Sequence, residues 1–158
     1  MTKTRKQLLE ALWRLQDEAY ELMTEYDGIP HLYGDDVMYH TEGQIIDLIA
    51  QNPEITCTEI AVITKKTPSA CSQLVKKLRK GEYVEQIRNE QNNRIYNLLL
   101  TEKGQNVYEQ RKVFNKNCQK IMEQMLEVFT AEELEHHVKV QQMINEAYQG
   151  DINRSREN

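Results

Sequence analysis

Thr67-Pro68-Ser69-Ala70-Cys71-Ser72-Gln73-Leu74-Val75-Lys76-Lys77-Leu78-Arg79-Lys80 is the segment on which the fold turns. A threonine ahead of a proline supplies a capping hydroxyl and a first helical residue whose missing N–H costs nothing, so the pattern predicts a helix beginning at Pro68. At about 100° per residue, Cys71, Leu74, Val75 and Leu78 fall on one stripe. Ser69, Gln73, Lys76 and Lys80 gather on the opposite side, with Ser72 and Lys77 flanking them. The second side carries hydroxyl and amide groups towards its N-terminus, suited to base edges, and ammonium groups towards its C-terminus, suited to phosphate oxygens. A lysine run alone describes a solvated helix face. The flanking sequence decides between the two.

Upstream, Thr56-Cys57-Thr58-Glu59 has the form of a capping box and opens a short helix whose Ile60, Ala61 and Ile63 can pack on the next one, with Thr64-Lys65-Lys66 as the turn. Downstream, Tyr83-Val84-Glu85-Gln86-Ile87-Arg88 and Arg94-Ile95-Tyr96-Asn97-Leu98-Leu99-Leu100 are rich in strand formers and enclose a polar loop, Asn89-Glu90-Gln91-Asn92-Asn93. From Ile55 to Leu100 the order is helix, turn, helix, two-stranded ribbon with a polar tip: a winged helix-turn-helix. The partner this implies is double-stranded DNA.

The 158 residues carry a net charge of −5, which looks wrong for a DNA binder until it is divided. Residues 56–100 hold eight Lys/Arg against four Glu, a net +4, so the remainder carries −9. A basic module on an acidic body attracts phosphate through one face and repels it elsewhere. Apolar runs are only a few residues long and the N-terminus has no signal-peptide core, so the expected location is a prokaryotic cytoplasm, with no membrane partner. Cys57, Cys71 and Cys118 are odd in number and widely spaced, which suits neither a disulfide framework nor a CxxC clip. They read as small core residues, Cys71 as inert.

Residues Lys3 to Tyr26 repeat apolar side chains at helical spacing and predict one long helix ended by Asp27-Gly28-Ile29-Pro30. A loop rich in aromatic residues and histidine is expected from Pro30 to His40, and Thr41-Glu42-Gly43-Gln44 reads as a capping box for a helix that stops before Pro53. After the wing, Thr101-Glu102-Lys103-Gly104 caps a helix carrying Val107, Tyr108, Phe114, Cys118, Ile121, Met122, Met125 and Leu126. Thr130-Ala131-Glu132-Glu133 opens a last one with Leu134, Val138, Ile144, Ala147 and Tyr148. These apolar stripes exceed what one small lobe covers, so the first and last helices are expected to bury one another in a homodimer. The expected fold class is mainly α with a small β-wing: one domain over 1–150, with the winged lobe at about 41–101, dimerisation helices at about 3–26 and 102–149, and a frayed tail at 151–158.

From Thr41 to Gly104, and in helix order over nearly the whole chain, the sequence resembles the MarR family of bacterial transcriptional regulators. The matching residues are Asn52-Pro53-Glu54-Ile55-Thr56 with Glu59-Ile60-Ala61, Ser69 to Leu78, Tyr83-Val84-Glu85, Arg94, and Leu100-Thr101-Glu102-Lys103-Gly104. The resemblance implies a dimer with two winged lobes, each placing a recognition helix in the major groove and a wing arginine, here Arg94, in the minor groove of a pseudo-palindromic operator. The expected DNA-binding residues are Thr67, Ser69, Ala70, Ser72, Gln73, Lys76, Lys77, Lys80, Asn92, Asn93 and Arg94. Three positions depart from the family pattern. Lys65 stands where the turn usually has glycine, so it takes a left-handed conformation or the turn differs in shape. Asn92 replaces an acidic residue two before the wing arginine, and Glu82 replaces a glycine ahead of the first wing strand.

The resemblance also implies a small aromatic effector bound between the dimerisation helices and the lobe, near Tyr20, Met23, Tyr26, His31, Tyr33, Met38, Tyr39 and His40; ordinary packing would explain each of these singly. For metal, His136 and His137 point about 100° apart on a helix, while Glu133 and His137 have chelating spacing but no third ligand. No metal site, cofactor or catalytic residue is expected, because no phosphate loop, nucleophile elbow or HExxH occurs and Asp35-Asp36 reads as a loop cap. The function expected is a ligand-responsive repressor. The alternatives are a winged-helix protein-interaction module without specific DNA binding and a metal-sensing relative within the same family.

Overall fold

The computed structural model describes residues 3–157 as six helices and two antiparallel hairpins. The chain divides into two compact units, one ending at Phe114 and the other beginning at Asn115.

In the first unit, α1 (Arg5–Gly28) opens on a reciprocal cap: Thr4 Oγ1 accepts from the Gln7 backbone N–H at 3.3 Å, and Gln7 Oε1 accepts from the Thr4 N–H at 2.8 Å. No residue of α1 is buried, and Leu8, Trp13, Leu15, Tyr20, Leu22 and Met23 are all exposed. Pro30 to Tyr39 form a hairpin, β1 (Pro30–Tyr33) on β2 (Asp36–Tyr39), where the sequence suggested a loop. The turn is Gly34-Asp35 with φ +66° at Gly34 only, the preference of a two-residue II′ connection. Alternation on β1 buries His31 and Tyr33 while Leu32 points outward.

Helix α2 (His40–Gln51) starts earlier than the expected Thr41 box: Tyr39 is the N-cap, and the Glu42 carboxylate accepts from the Tyr39 N–H at 2.9 Å. The two helices of the motif, α3 (Cys57–Thr64) and α4 (Pro68–Lys80), follow as expected, capped by Thr56 and Thr67. The wing is β3 (Val84–Arg88) paired with β4 (Tyr96–Leu100), two residues shorter at its second strand than the sequence suggested. Ile55 accepts from the Leu98 N–H at 2.9 Å and Thr56 bridges Asn97, so the chain ahead of α3 lies along the wing. The core joins these elements through Ile45, Ile46, Ile49, Ile60, Cys71, Val75, Leu78, Val84, Leu98 and Val107.

Helix α5 (Glu102–Leu126) begins in the first unit and ends in the second. Its start explains the Leu100-to-Gly104 motif. Thr101 Oγ1 donates to the Glu82 carbonyl at 2.6 Å and accepts from the Gly104 N–H at 3.1 Å, and Lys103 Nζ reaches the Gly81 carbonyl at 3.0 Å. A Cβ at Gly104 would collide with the Tyr83 carbonyl oxygen, so glycine is what lets the helix start press on the corner after α4. In the second unit, α6 (Ala131–Arg156) opens on the expected box, with Glu133 accepting from the Thr130 N–H at 2.8 Å. It runs through Gly150 to Arg156 where a frayed tail was expected, and its last turns carry an Asp151–Arg154 ion pair. Ile144 is its one buried residue.

Candidate nucleic-acid interface

Helix α4 presents the two faces that its spacing implies. Cys71, Val75 and Leu78 are buried and Leu74 half-buried, whereas Thr67, Ser69, Ala70, Ser72, Gln73, Lys76, Lys77 and Lys80 are exposed. Two left-handed residues aim it. Lys65 adopts φ 54°, ψ 29° at the end of α3, so the turn keeps the shape a glycine would give, with Lys66 N–H returning to the Ala61 carbonyl at 3.1 Å. Glu82 adopts φ 63° after α4, and the Tyr83 N–H bonds the Leu78 carbonyl at 3.0 Å. Both positions are those at which the resemblance leads one to expect glycine, and both take the left-handed backbone that glycine adopts most easily.

The exposed lysines are not equivalent. Lys77 Nζ pairs with the Glu42 carboxylate, which is 4% exposed, and lies 5.2 Å from the centre of the Tyr39 ring. Its charge is committed to holding α4 on the start of α2. Among the described residues no ion pair engages Lys76 or Lys80.

At the wing tip, Asn89 Oδ1 accepts from the N–H groups of Gln91 and Asn92 at 2.9 and 3.1 Å, and the Asn89 N–H closes the loop on the Ile95 carbonyl at 3.0 Å. Asn92 Oδ1 accepts from the Arg94 backbone N–H at 3.0 Å. It therefore fixes the main chain of Arg94 and leaves the guanidinium exposed. Asn92 and Asn93 are exposed beside it. A groove of about 510 Å³ at the foot of the wing is lined by Arg94, Gln86, Tyr96 and the first turn of α3, including Cys57.

The residues suggested for an effector separate into three places. Tyr26, His31, Tyr33 and His40 cluster with Phe114: ring centres of Tyr26 and His31 lie 4.1 Å apart, Tyr26 and His40 5.3 Å, Tyr33 and Phe114 5.2 Å. His31 Nε2 also lies 2.8 Å from the Tyr26 carbonyl oxygen. Met38 and Tyr39 instead line a groove of about 390 Å³ between the β1–β2 hairpin and the end of α4. Tyr20 and Met23 are about seven-tenths exposed on α1.

Behind the aromatic cluster, Arg111 is 1% exposed and holds Asp47 through two bonds of 3.0 and 2.7 Å, with its guanidinium 4.7 Å from the Tyr33 ring centre. Burial lowers the pKa of His40, and Arg111 adds to that shift. Burial raises that of Tyr33 against the opposing pull of Arg111. Both shifts favour the neutral form of the group. Nothing in the sequence pattern pointed to Arg111 or Asp47, which are far apart in the chain and meet only when α5 crosses α2. Asp36, read as a loop cap, accepts from the Tyr83 hydroxyl at 2.6 Å.

Glu133 is occupied by the Thr130 cap, and its pKa is lowered by the backbone and side-chain hydrogen bonds it accepts there. Among the described residues no three His, Cys, Asp or Glu side chains converge as metal ligands, and no helix is long and apolar enough to cross a membrane.

Residues 40–85 match the winged helix-turn-helix DNA-binding family. No protein of curated function matches by sequence. Among solved structures, Streptococcus pneumoniae FabT in complex with DNA is 21% identical with a TM-score of 0.67, covering 93% of this chain and 99% of that one. A zinc-responsive MarR family member, Lactococcus lactis ZitR, is 20% identical with a TM-score of 0.76 over 89% and 99%. The adhesin competence repressor of Streptococcus pyogenes is 19% identical with a TM-score of 0.65 over 89% and 97%. At these identities what is shared is the fold, a winged helix-turn-helix of the MarR type.

Proposed function

We propose that this chain, with its MarR-type fold, is a MarR-family transcriptional regulator that binds a pseudo-palindromic DNA operator as a homodimer and represses the genes beside it. The observation that carries the reading is the exposed face of α4, where Ser69, Ser72 and Gln73 stand clear near the N-terminus and Lys76 and Lys80 stand exposed towards the C-terminus. Such a face reads base edges with its first turns and binds phosphate with its last. Arg94, exposed at a wing tip whose main chain is held by Asn92, is the side chain for the minor groove. Lys77, pinned to Glu42, contributes little to phosphate binding.

A homodimer is supported by the exposed apolar side chains of α1, α5 and α6, among them Trp13, Leu15, Ile121, Met122, Met125 and Met143. A small aromatic effector is supported by the Tyr26, His31, Tyr33 and His40 cluster, which joins the end of α1 to the winged lobe. A ligand that parted these rings would move the two against each other.

Selection of genomic fragments on the immobilised full-length protein tests this. The recovered fragments are expected to share an inverted repeat with half-sites about one helical turn, roughly 34 Å, apart. Recovery of unrelated sequences in proportion to their abundance would exclude an operator-binding regulator.

A further inference from the structure

The fold places two thiols in contact inside the helix-turn-helix itself. Cys57 is the first residue of α3 and Cys71 lies one turn into α4, and their Sγ atoms are 3.4 Å apart. The Cys71 thiol also lies 3.2 Å from the Cys57 carbonyl oxygen. Cys71 is fully buried between the exposed residues Ala70 and Ser72, whereas Cys57 is half-buried and lines the solvent-open groove below the wing. Cys57 is thus the more accessible of the two residues, and Cys71 lies deeper in the core.

We propose that Cys57 and Cys71 are a reversible thiol–disulfide site that bolts α3 to the recognition helix and lowers operator affinity under oxidation. The effect on DNA rests on the function proposed above. The oxidant is hydrogen peroxide. The Cys57 thiolate attacks one peroxide oxygen, forming an S–O bond as the O–O bond breaks, and the departing hydroxide is protonated to water. Cys71 sulfur then attacks the Cys57 sulfur: the S–S bond forms, the S–O bond breaks, and the second hydroxide leaves with the Cys71 proton as water. Two thiols lose two electrons in all, and one peroxide becomes two waters.

The order of attack follows from the environments. Burial, with contributions from Cys57, pushes the Cys71 thiol up to about 12, so it is a poor first nucleophile and serves as the resolving partner. Closing the sulfurs to a bond of about 2.05 Å requires an approach of about 1.3 Å. Cys57 is at the start of α3 and Cys71 in the buried face of α4, so closing the bond ties the two helices together and shifts the α3–α4 packing that positions Ala70, Ser72 and Gln73. Base-edge hydrogen bonds depend on distance and angle, so a shift of α4 against α3 weakens them.

Intact-mass measurement after hydrogen peroxide treatment, in a Cys118→Ser background that removes the exposed third thiol, tests the site directly. The chain should lose about 2 Da, peptide mapping should join Cys57 to Cys71, and dithiothreitol should reverse both. Binding to a duplex recovered by genomic selection should weaken about tenfold or more on oxidation and recover on reduction. Cys57→Ser, which replaces a half-buried thiol, should bind DNA normally and be insensitive to peroxide; Cys71→Ala should leave Cys57 oxidised without a cross-link. Oxygen addition at Cys57 with no cross-link in the parent, or a cross-link that leaves affinity unchanged, would overturn the proposal. Should the reduced protein select no DNA, the operator reading fails by itself, and the mass result still decides whether the thiols pair.

Discussion

Lys65 and Glu82 each carry a side chain through left-handed backbone, φ 54° and 63°, at the two corners that bracket the recognition helix. The steric cost of that conformation is about 1–2 kcal/mol for a residue with a Cβ, and glycine gives back part of the gain through its freer unfolded chain. Lys65→Gly and Glu82→Gly should therefore each stabilise the fold by about 0.5–1 kcal/mol, read as a higher denaturation midpoint at unchanged slope. A fall in midpoint would mean that these side chains hold something beyond the turn. Tyr83 behaves differently. Burial first, and then its hydrogen bond to the Asp36 carboxylate, push its pKa up to about 12 from an ordinary value near 10. The folded state thus favours the protonated phenol, so its contribution is fully present below about pH 10 and is lost as pH rises towards about 12. Tyr83→Phe should flatten the alkaline limb of the stability profile, and an unchanged limb would place the alkaline transition elsewhere.

At the level of elements, the caps were the most legible feature. Thr56 with Glu59, Thr67 ahead of Pro68, and Thr130 with Glu133 all form where the sequence placed them, because each is a local device that owes nothing to distant residues. The β1–β2 hairpin was missed for the complementary reason. Its strands are four residues long, carry Asp and His, and are defined by burying His31 and Tyr33 beneath residues of α1 and α5. The Cys57–Cys71 contact and the Arg111–Asp47 pair were likewise invisible, since only helix packing brings those partners together. The split face of α4 gives a prediction at this scale. Gln73→Ala should relax discrimination among operator variants by about 1–3 kcal/mol at one base pair. Lys76→Ala should weaken all duplexes alike and reduce the salt slope by about 1. If Gln73→Ala left the ranking of variants unchanged, another face of α4 would be the reading face.

Across the whole molecule, charge and apolar surface are divided between the same two tasks. Residues 56–100 carry a net +4 and the remainder −9, a division that favours approach of phosphate to the winged lobe. Many of the apolar residues left uncovered lie on α1, α5 and α6, where the sequence showed stripes too long for one lobe, and others lie on the first hairpin, α3 and the wing. Sedimentation at micromolar concentration should give about twice the 18.7 kDa chain mass; a clean monomer would remove the two-lobed operator geometry. We propose sequence-specific DNA binding through α4 and the wing. Its most direct test is an anisotropy titration of the parent and Arg94→Ala proteins, at one fixed salt concentration, against a duplex carrying the selected inverted repeat and its shuffled counterpart. The parent should prefer the repeat by roughly a thousandfold or more, and Arg94→Ala should bind it more weakly. Equal affinity of the parent for both duplexes, with Arg94→Ala binding as tightly as the parent, would rule out operator recognition by these elements and point to a winged-helix protein-interaction module instead.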